Sequence, residues 1–289
     1  GVVLSTHDTK RSGDARAALA VLSECPGQWA ELLARTDTSA APDRHTAWVY
    51  RQTALALGVF PPPPERLVPA LLKAVREAGL RTTWTEPDAE YEAAVERFVT
   101  VQRDSADAQA TAAFATGLAP HVRANVLGTA LVQLTMPGVP DLYQGTEHTY
   151  RALVDPDNRD PAVLGERHGG SLPATEKARL TAAALRLRAD HPELFLSRAA
   201  AAYEPLYAQG EQAAHCVAFV RSGAVLVAVT RLSLRLGRHG GWGPTSLTLP
   251  EGIWRDALPD GGGTRELSGT VLLSHLFRSA PVALLERRA

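Results

Sequence analysis

Two textures divide this 289-residue chain near residue 199, and the divide narrows the folds open to it. Downstream, short apolar runs alternate with glycine- and proline-rich turns. CVAFV (216–220), VLVAV (225–229), SLTL (246–249) and VALL (282–285) are separated by turns such as GRHGGWGP and PDGGG. Short strands at that spacing predict an antiparallel β-sandwich over 199–289. Upstream, apolar residues recur at intervals of three and four, the helical period. Ser12 or Asp14 can cap a helix carrying Ala18, Leu19 and Leu22, stopped by Pro26-Gly27. Trp48, Gln52 and Leu55 share one side of a second helix. The prolines at 61–64 lead into a third, with Leu67, Leu71, Leu72 and Val75. Asp88 caps a fourth that carries Tyr91, Val95, Phe98 and Val99, and a further helix is predicted over 175–191.

Two apolar runs interrupt this helical texture. The chain opens on one, at 2–4, and the other lies at 130–136 and is broken by Pro137-Gly138. Both read as buried strands. From 139 to 171 the periodicity disappears among Asp, Pro, Gly, Asn and Arg. A loop of that length in a compact domain is often functional.

Composition sets outer limits. With 45% hydrophobic and 21% charged residues the chain can build a core. The net charge of −1 does not suggest a basic face for nucleic acid or an anionic membrane. No apolar run approaches the ~18 residues of a membrane span, and no leader with a cleavage site is recognisable. Cys25 and Cys216 lie far apart without metal-ligand spacing. Two reduced thiols in a cytoplasmic protein are expected, with one disulfide as the alternative. Met136 is the only methionine, and a chain that starts inside a strand is expected to be cut from something longer.

Three clusters concentrate the chemistry. The first is THDTKR, where His7, Asp8, Lys10 and Arg11 follow the opening apolar run. A carboxylate between an imidazole and two cations at a strand's C-terminal end occupies the position where barrel enzymes keep their catalytic groups. The bland alternatives are a helix cap for Asp8, a core histidine for His7 and a solvated lysine for Lys10. The second cluster is PGVPDLYQGTE, with Tyr143 and Gln144. The third is LVDPDNRDP, with Asp155, Asn158 and Arg159. Carboxylate, amide and guanidinium groups of this kind suit sugar hydroxyls; their alternative is a solvated loop held by Asx-turns.

In this order the three clusters resemble the last quarter of the α-amylase superfamily barrel, glycoside hydrolase family 13. HDTKRSGDARAAL, KAVREAGLRTTWTEPDAEYEAAVERFV and ALRLRADHPELF are closer still to the branch of that superfamily that forms trehalose units. Gly79, Thr83, Asp88 and Asp160 depart from its usual residues. The resemblance implies an α/β plus all-β fold: the end of a (β/α)8 TIM barrel with a long helical insertion, then a C-terminal β-sandwich. Barrel strand 7 and its loop would occupy 1–12, the insertion 13–119, and strand 8 with its loop and the final helix 120–198. The sandwich would follow over 199–289.

It also implies a reaction. The reducing-end α-1,4 bond of a maltooligosaccharide would become an α,α-1,1 bond by intramolecular glucosyl transfer, an isomerisation in trehalose biosynthesis. Asp8, assisted by His7, would grip the sugar at the cleavage point. Lys10 and Arg11 would hold the released glucose, with Tyr143, Gln144, Asp155, Asn158 and Arg159 as further contacts. Trp84 would be a stacking platform or part of the insertion's core. The nucleophile and the acid/base would lie in a missing N-terminal barrel portion, so this chain alone would be inactive. No metal or organic cofactor is implied, and the partner is an α-glucan rather than nucleic acid or membrane. The alternatives are another glucan hydrolase of the superfamily and a noncatalytic carbohydrate-binding fragment.

Overall fold

The computed structural model describes residues 3–159, 175–196, 202–258 and 265–288. The chain divides into two compact units. One is Gly1–Ala119 with Tyr150–Gly169; the other is Pro120–Thr149 with Gly170–Ala289.

The first unit is helical. Ser12 caps α1 (Gly13–Val21) by accepting from the amide of Ala15. Pro26 opens α2 (Pro26–Arg35), where its missing N–H costs nothing. Asp43 caps α3 (Arg44–Leu57), and Asp88 caps α5 (Ala89–Gln102), each carboxylate accepting from an amide three residues on. Between them runs α4 (Pro64–Ala78), which ends at Gly79 in the left-handed region. Gly58 ends α3 in the same way, at φ 66°. A side chain there would also collide with the Arg151 guanidinium, so the position is restricted twice over.

The core of this unit joins Ala47, Tyr50 and Leu57 of α3 to Leu67 and Leu71 of α4 and to Val95, Phe98 and Val99 of α5, with Leu153 closing it. Tyr50 and Phe98 meet edge to face at 5.2 Å. Each large apolar side chain buried here is worth about 1.5–3 kcal/mol. The buried face of α3 runs through Ala47, Tyr50, Ala54 and Leu57; on the expected Trp48, Gln52 and Leu55 side, Leu55 is buried and Trp48 is exposed.

The second unit is built on an antiparallel sheet of six strands, ordered β1-β2-β3-β8-β5-β6. Its strands are β1 (Tyr203–Leu206), β2 (Cys216–Arg221), β3 (Val225–Thr230), β5 (Trp254–Asp256), β6 (Glu266–Leu267) and β8 (Val282–Arg287). The pair β4 (Ser246–Thr248) and β7 (Thr270–Leu272) forms a second, smaller sheet. All six residues of β3 are buried, because both of its faces are covered. Val225, Val227 and Val229 pack on Leu127, Leu131 and Leu134 of α6 (Ala106–Thr135) and on Leu180, Ala184 and Leu187 of α7 (Glu176–Asp190). Leu226 and Ala228 point the other way, into a cluster with Leu247, Leu249, Trp254, Leu267 and Val271. That is the period-two alternation of a strand read from both sides. The four runs read as strands in the sequence are β2, β3, β4 and β8. The compact unit is drawn differently from a division at 199, since it takes in α7 and the C-terminal part of α6.

Neither run expected as a barrel strand carries strand pairing among the described residues. Residues 130–135 form the end of α6, and the amide of the next residue, Met136, is still bonded to the Val132 carbonyl at 2.8 Å. Leu127, Ala130, Leu131 and Leu134 are all buried, at helical spacing. An apolar run cannot declare its own period when its polar face is short. At the start of the chain Val2 lies outside the described residues, and Val3 and Leu4 pair with no strand. Their carbonyls accept instead from the Arg16 guanidinium. No described helix is long and apolar enough to cross a membrane. Both cysteines carry free thiols, and burial pushes that of Cys216 up to about 12.

Candidate active site

The HDTK turn holds its own shape. The Thr9 hydroxyl donates to the Thr6 carbonyl at 2.8 Å and accepts from the Thr6 amide at 3.2 Å. The Asp8 amide donates to the Thr6 hydroxyl at 3.2 Å. These short-range bonds place His7 and Asp8 at the tip of the turn, both exposed, with His7 Nε2 3.3 Å from Asp8 Oδ2. The Asp8 side chain is 87% exposed, so most of its acceptor capacity is open to a ligand.

The turn is anchored from behind by the third sequence cluster. Asn158 is buried, and its amide nitrogen donates to the carbonyls of His7 (2.8 Å) and Thr6 (3.3 Å). The Tyr150 hydroxyl donates to the Asn158 carbonyl at 2.7 Å. Ser12 closes the other end of the turn. Its hydroxyl donates to the Tyr150 carbonyl and accepts from the amides of Ala152 and Ala15, which uses the full capacity of a serine. Asp14 accepts from the Tyr150 amide at 2.8 Å. Residues 5–14 are thus fastened to residues 150–158 mostly by side chains of one segment bonding backbone groups of the other.

Helix α4 fixes the rest of the cluster. Arg66 donates to both carboxylate oxygens of Asp157, at 2.6 and 2.8 Å, and to the Arg151 carbonyl at 2.9 Å. Asp157 also accepts from the Leu153 amide. Seven residues on, Lys73 reaches the Asp155 carbonyl at 3.4 Å. Four residues further, Glu77 binds Lys10 at 2.6 Å. Residues spaced seven and four apart lie along one stripe of a helix. The Asp155 carboxylate pairs with Arg159 at 2.5 Å on the surface. Arg11 is directed inward: its guanidinium donates to the Thr53 hydroxyl at 3.0 Å, and burial lowers its pKa.

Trp84 is not core. It is 58% exposed, with the Arg76 guanidinium 4.9 Å from its ring centroid. Arg76 is itself gripped by both oxygens of Glu92, at 2.9 and 2.6 Å, and Thr82 donates to the same carboxylate at 2.6 Å. Arg76 first, and then Thr82, hold the Glu92 carboxyl down at about 2, against an ordinary 4.5. Because the folded value is depressed, the stability from this pairing is complete above about pH 4.5 and is lost as pH falls toward 2. The gap in unfolding free energy between wild type and Glu92→Gln is therefore expected to be flat near neutrality and to shrink through that acid window. Denaturant melts on both sides of the window measure it, and a gap that ignores pH would contradict the pairing.

Tyr143 and Gln144 belong to the second unit. Tyr143 is half-buried, and its carbonyl accepts from the amide and hydroxyl of Thr146; Gln144 is exposed. The structure therefore brings His7, Asp8, Lys10, Arg11, Asp155, Asn158 and Arg159 together in one unit. Sequence reasoning missed Ser12 as a brace, Tyr150, Asp157 and the α4 stripe of Arg66, Lys73 and Glu77. The stripe's helical spacing was the one available signal. Among the described residues no group of three His, Cys, Asp or Glu side chains could hold a metal ion.

No protein-family model matches the chain. It is 42% identical over 294 residues to a Mycobacterium tuberculosis protein assigned as a maltooligosyl trehalose synthase, covering 98% of this chain and 37% of that protein. It superposes on the maltooligosyltrehalose synthase from Arthrobacter ramosus with a TM-score of 0.85 and 38% identity, over 99% of this chain and 38% of that one. The hypothetical maltooligosyl trehalose synthase of Sulfolobus tokodaii shares the fold at a TM-score of 0.75 and 23% identity. The chain thus spans under two-fifths of the length of the relatives it matches.

Proposed function

We propose that this chain is a portion of a maltooligosyltrehalose synthase and carries one wall of its sugar site, centred on Asp8. The observation that carries the reading is the exposed His7–Asp8 tip held by buried Asn158, in a chain similar along almost its whole length to enzymes of that name. The finer setting is the end of an α-amylase-type (β/α)8 barrel in a cytoplasmic enzyme.

In the whole enzyme, two carboxylates from the remainder of the protein perform the chemistry. One attacks the penultimate sugar, and the other protonates the leaving oxygen and then deprotonates the incoming hydroxyl. The released glucose turns and offers its anomeric hydroxyl to the glycosyl-enzyme, which gives the α,α-1,1 bond. Asp8 accepts from two hydroxyls of the reacting sugar, and these bonds tighten as the ring flattens toward an oxocarbenium-like state. His7 donates to the same sugar and orients Asp8. Lys10 spends one of its three N–H groups on Glu77 and offers the others to the turning glucose. Arg11 and Asn158, directed inward, shape the turn instead of touching sugar. Water must be kept from the intermediate, or hydrolysis competes.

The test is incubation of the complete protein with maltopentaose. Reducing ends should disappear without an equivalent release of glucose, leaving a product with a non-reducing trehalose end. Stoichiometric glucose would point to a glucan hydrolase, and an unaltered substrate would overturn the reading.

A further inference from the structure

We infer that Trp84 is an α-glucan stacking platform held in place by Arg76 and Glu92, which act as positioning residues for it. The inference rests on the glucan reading above and extends it to residues outside the three sequence clusters.

Large aromatic side chains are normally well buried. Trp84 instead stands 58% exposed, on the segment between α4 and α5. That exposure is not slackness, because the segment is tied at several points. Thr82 is fully buried; it donates to Glu92 and accepts from the Asp88 amide at 3.0 Å. The Thr83 amide donates to the Glu86 carbonyl, and the Glu86 amide donates back to the Thr83 hydroxyl. One face of the indole is backed by the Arg76 guanidinium, whose plane is locked by its two bonds to Glu92. A cation on one face is a favourable contact that fixes the ring. The other face is left for a ligand, and the ring's ordering cost is met before binding. A flat, rigid aromatic face is complementary to the C–H face of a pyranose ring.

The same turn of α4 connects this platform to the HDTK tip. Arg76 faces Trp84, and its neighbour Glu77 holds Lys10. One helix end therefore carries the partners of both Lys10 and the indole.

The experiment uses the complete protein with maltopentaose. Trp84→Leu is expected to raise KM about tenfold with kcat little changed, the mark of lost uniform binding. Glu92→Gln is expected to raise KM about three- to fivefold by freeing the guanidinium behind the ring. Trp84→Phe should recover most of the affinity, and the thermal melt of Trp84→Leu should match wild type. Trp48→Leu, which removes another exposed indole, is the control and should leave KM alone. A raised KM in Trp84→Leu with none in Glu92→Gln would overturn the positioning role. An unmoved KM in both would overturn the platform. In either case conversion by the wild type would leave the proposed function standing. A wild type that does not act on maltopentaose would instead remove that function, and this inference with it.

Discussion

Asp8→Asn in the complete protein is expected to cost about 10²–10³-fold or more in kcat/KM on maltooligosaccharides, the scale of losing a group that acts mainly in the transition state. On the proposed function the loss should fall on kcat, because hydrogen bonds from the sugar hydroxyls to this carboxylate would strengthen as charge develops on the ring. Stability should not follow. The Asp8 side chain is almost fully exposed, and its close contact is the imidazole of His7 at 3.3 Å; exposed ion pairs of this kind contribute about 0–1 kcal/mol. The two readouts separate cleanly. Product analysis for trehalose-ended oligosaccharide should show the loss, while a thermal melt should overlay on wild type. A variant that keeps its rate would remove Asp8 from the reaction.

Asp157→Ala should show the opposite pattern, with an expected cost of about 3–5 kcal/mol of stability, the range for breaking a buried pair from one side. The Asp157 side chain is 8% exposed, accepts two bonds from Arg66 and one from the Leu153 amide, and sits beside Asn158 in the three-residue 3-10 turn Asp157–Arg159. Its removal leaves the charge of a half-buried guanidinium without its carboxylate and a backbone donor without its acceptor. Pairing the change with Arg66→Met should recover part of the loss, since the stranded charge then disappears as well. Urea melts of the two single variants and the double variant measure the coupling. A single variant within error of wild type would mean that water replaces the carboxylate at no cost.

Much of the helical half was legible, for a local reason. Ser12 and Asp88 sit where the orphan amides of a helix start need acceptors, and Leu67, Leu71, Val95 and Phe98 recur at the period of their buried face. The strands 216–221, 225–230 and 282–287 were legible because each is an apolar run bounded by turn residues. The failures have physical causes too. Residues 130–135 form the apolar end of a helix pressed on a sheet, so the polar face that would have shown a period of 3.6 is reduced there to Gln133. The short strands β5, β6 and β7 hold two or three residues each, too few for an alternation to register. In the candidate site, His7 and Asp8 could be singled out from residue type and context. Tyr150, Asp157 and Arg66 could not, because their roles consist of bonds to backbone groups and charges far away in sequence.

The bonds from Asn158 to the carbonyls of Thr6 and His7 span 152 and 151 residues. They give the site a birth order. At roughly 5–20 residues per second of synthesis, about eight to thirty seconds separate the emergence of Asp8 from that of the amide that anchors its turn. Until then the tip has only its own threonine hydroxyls to shape it, and a reactive-looking carboxylate stands in a loop with no back wall. The shape of the His7–Asp8 tip is therefore one of the last local shapes this unit can acquire, although its own residues are made 151 residues before the amide that anchors it.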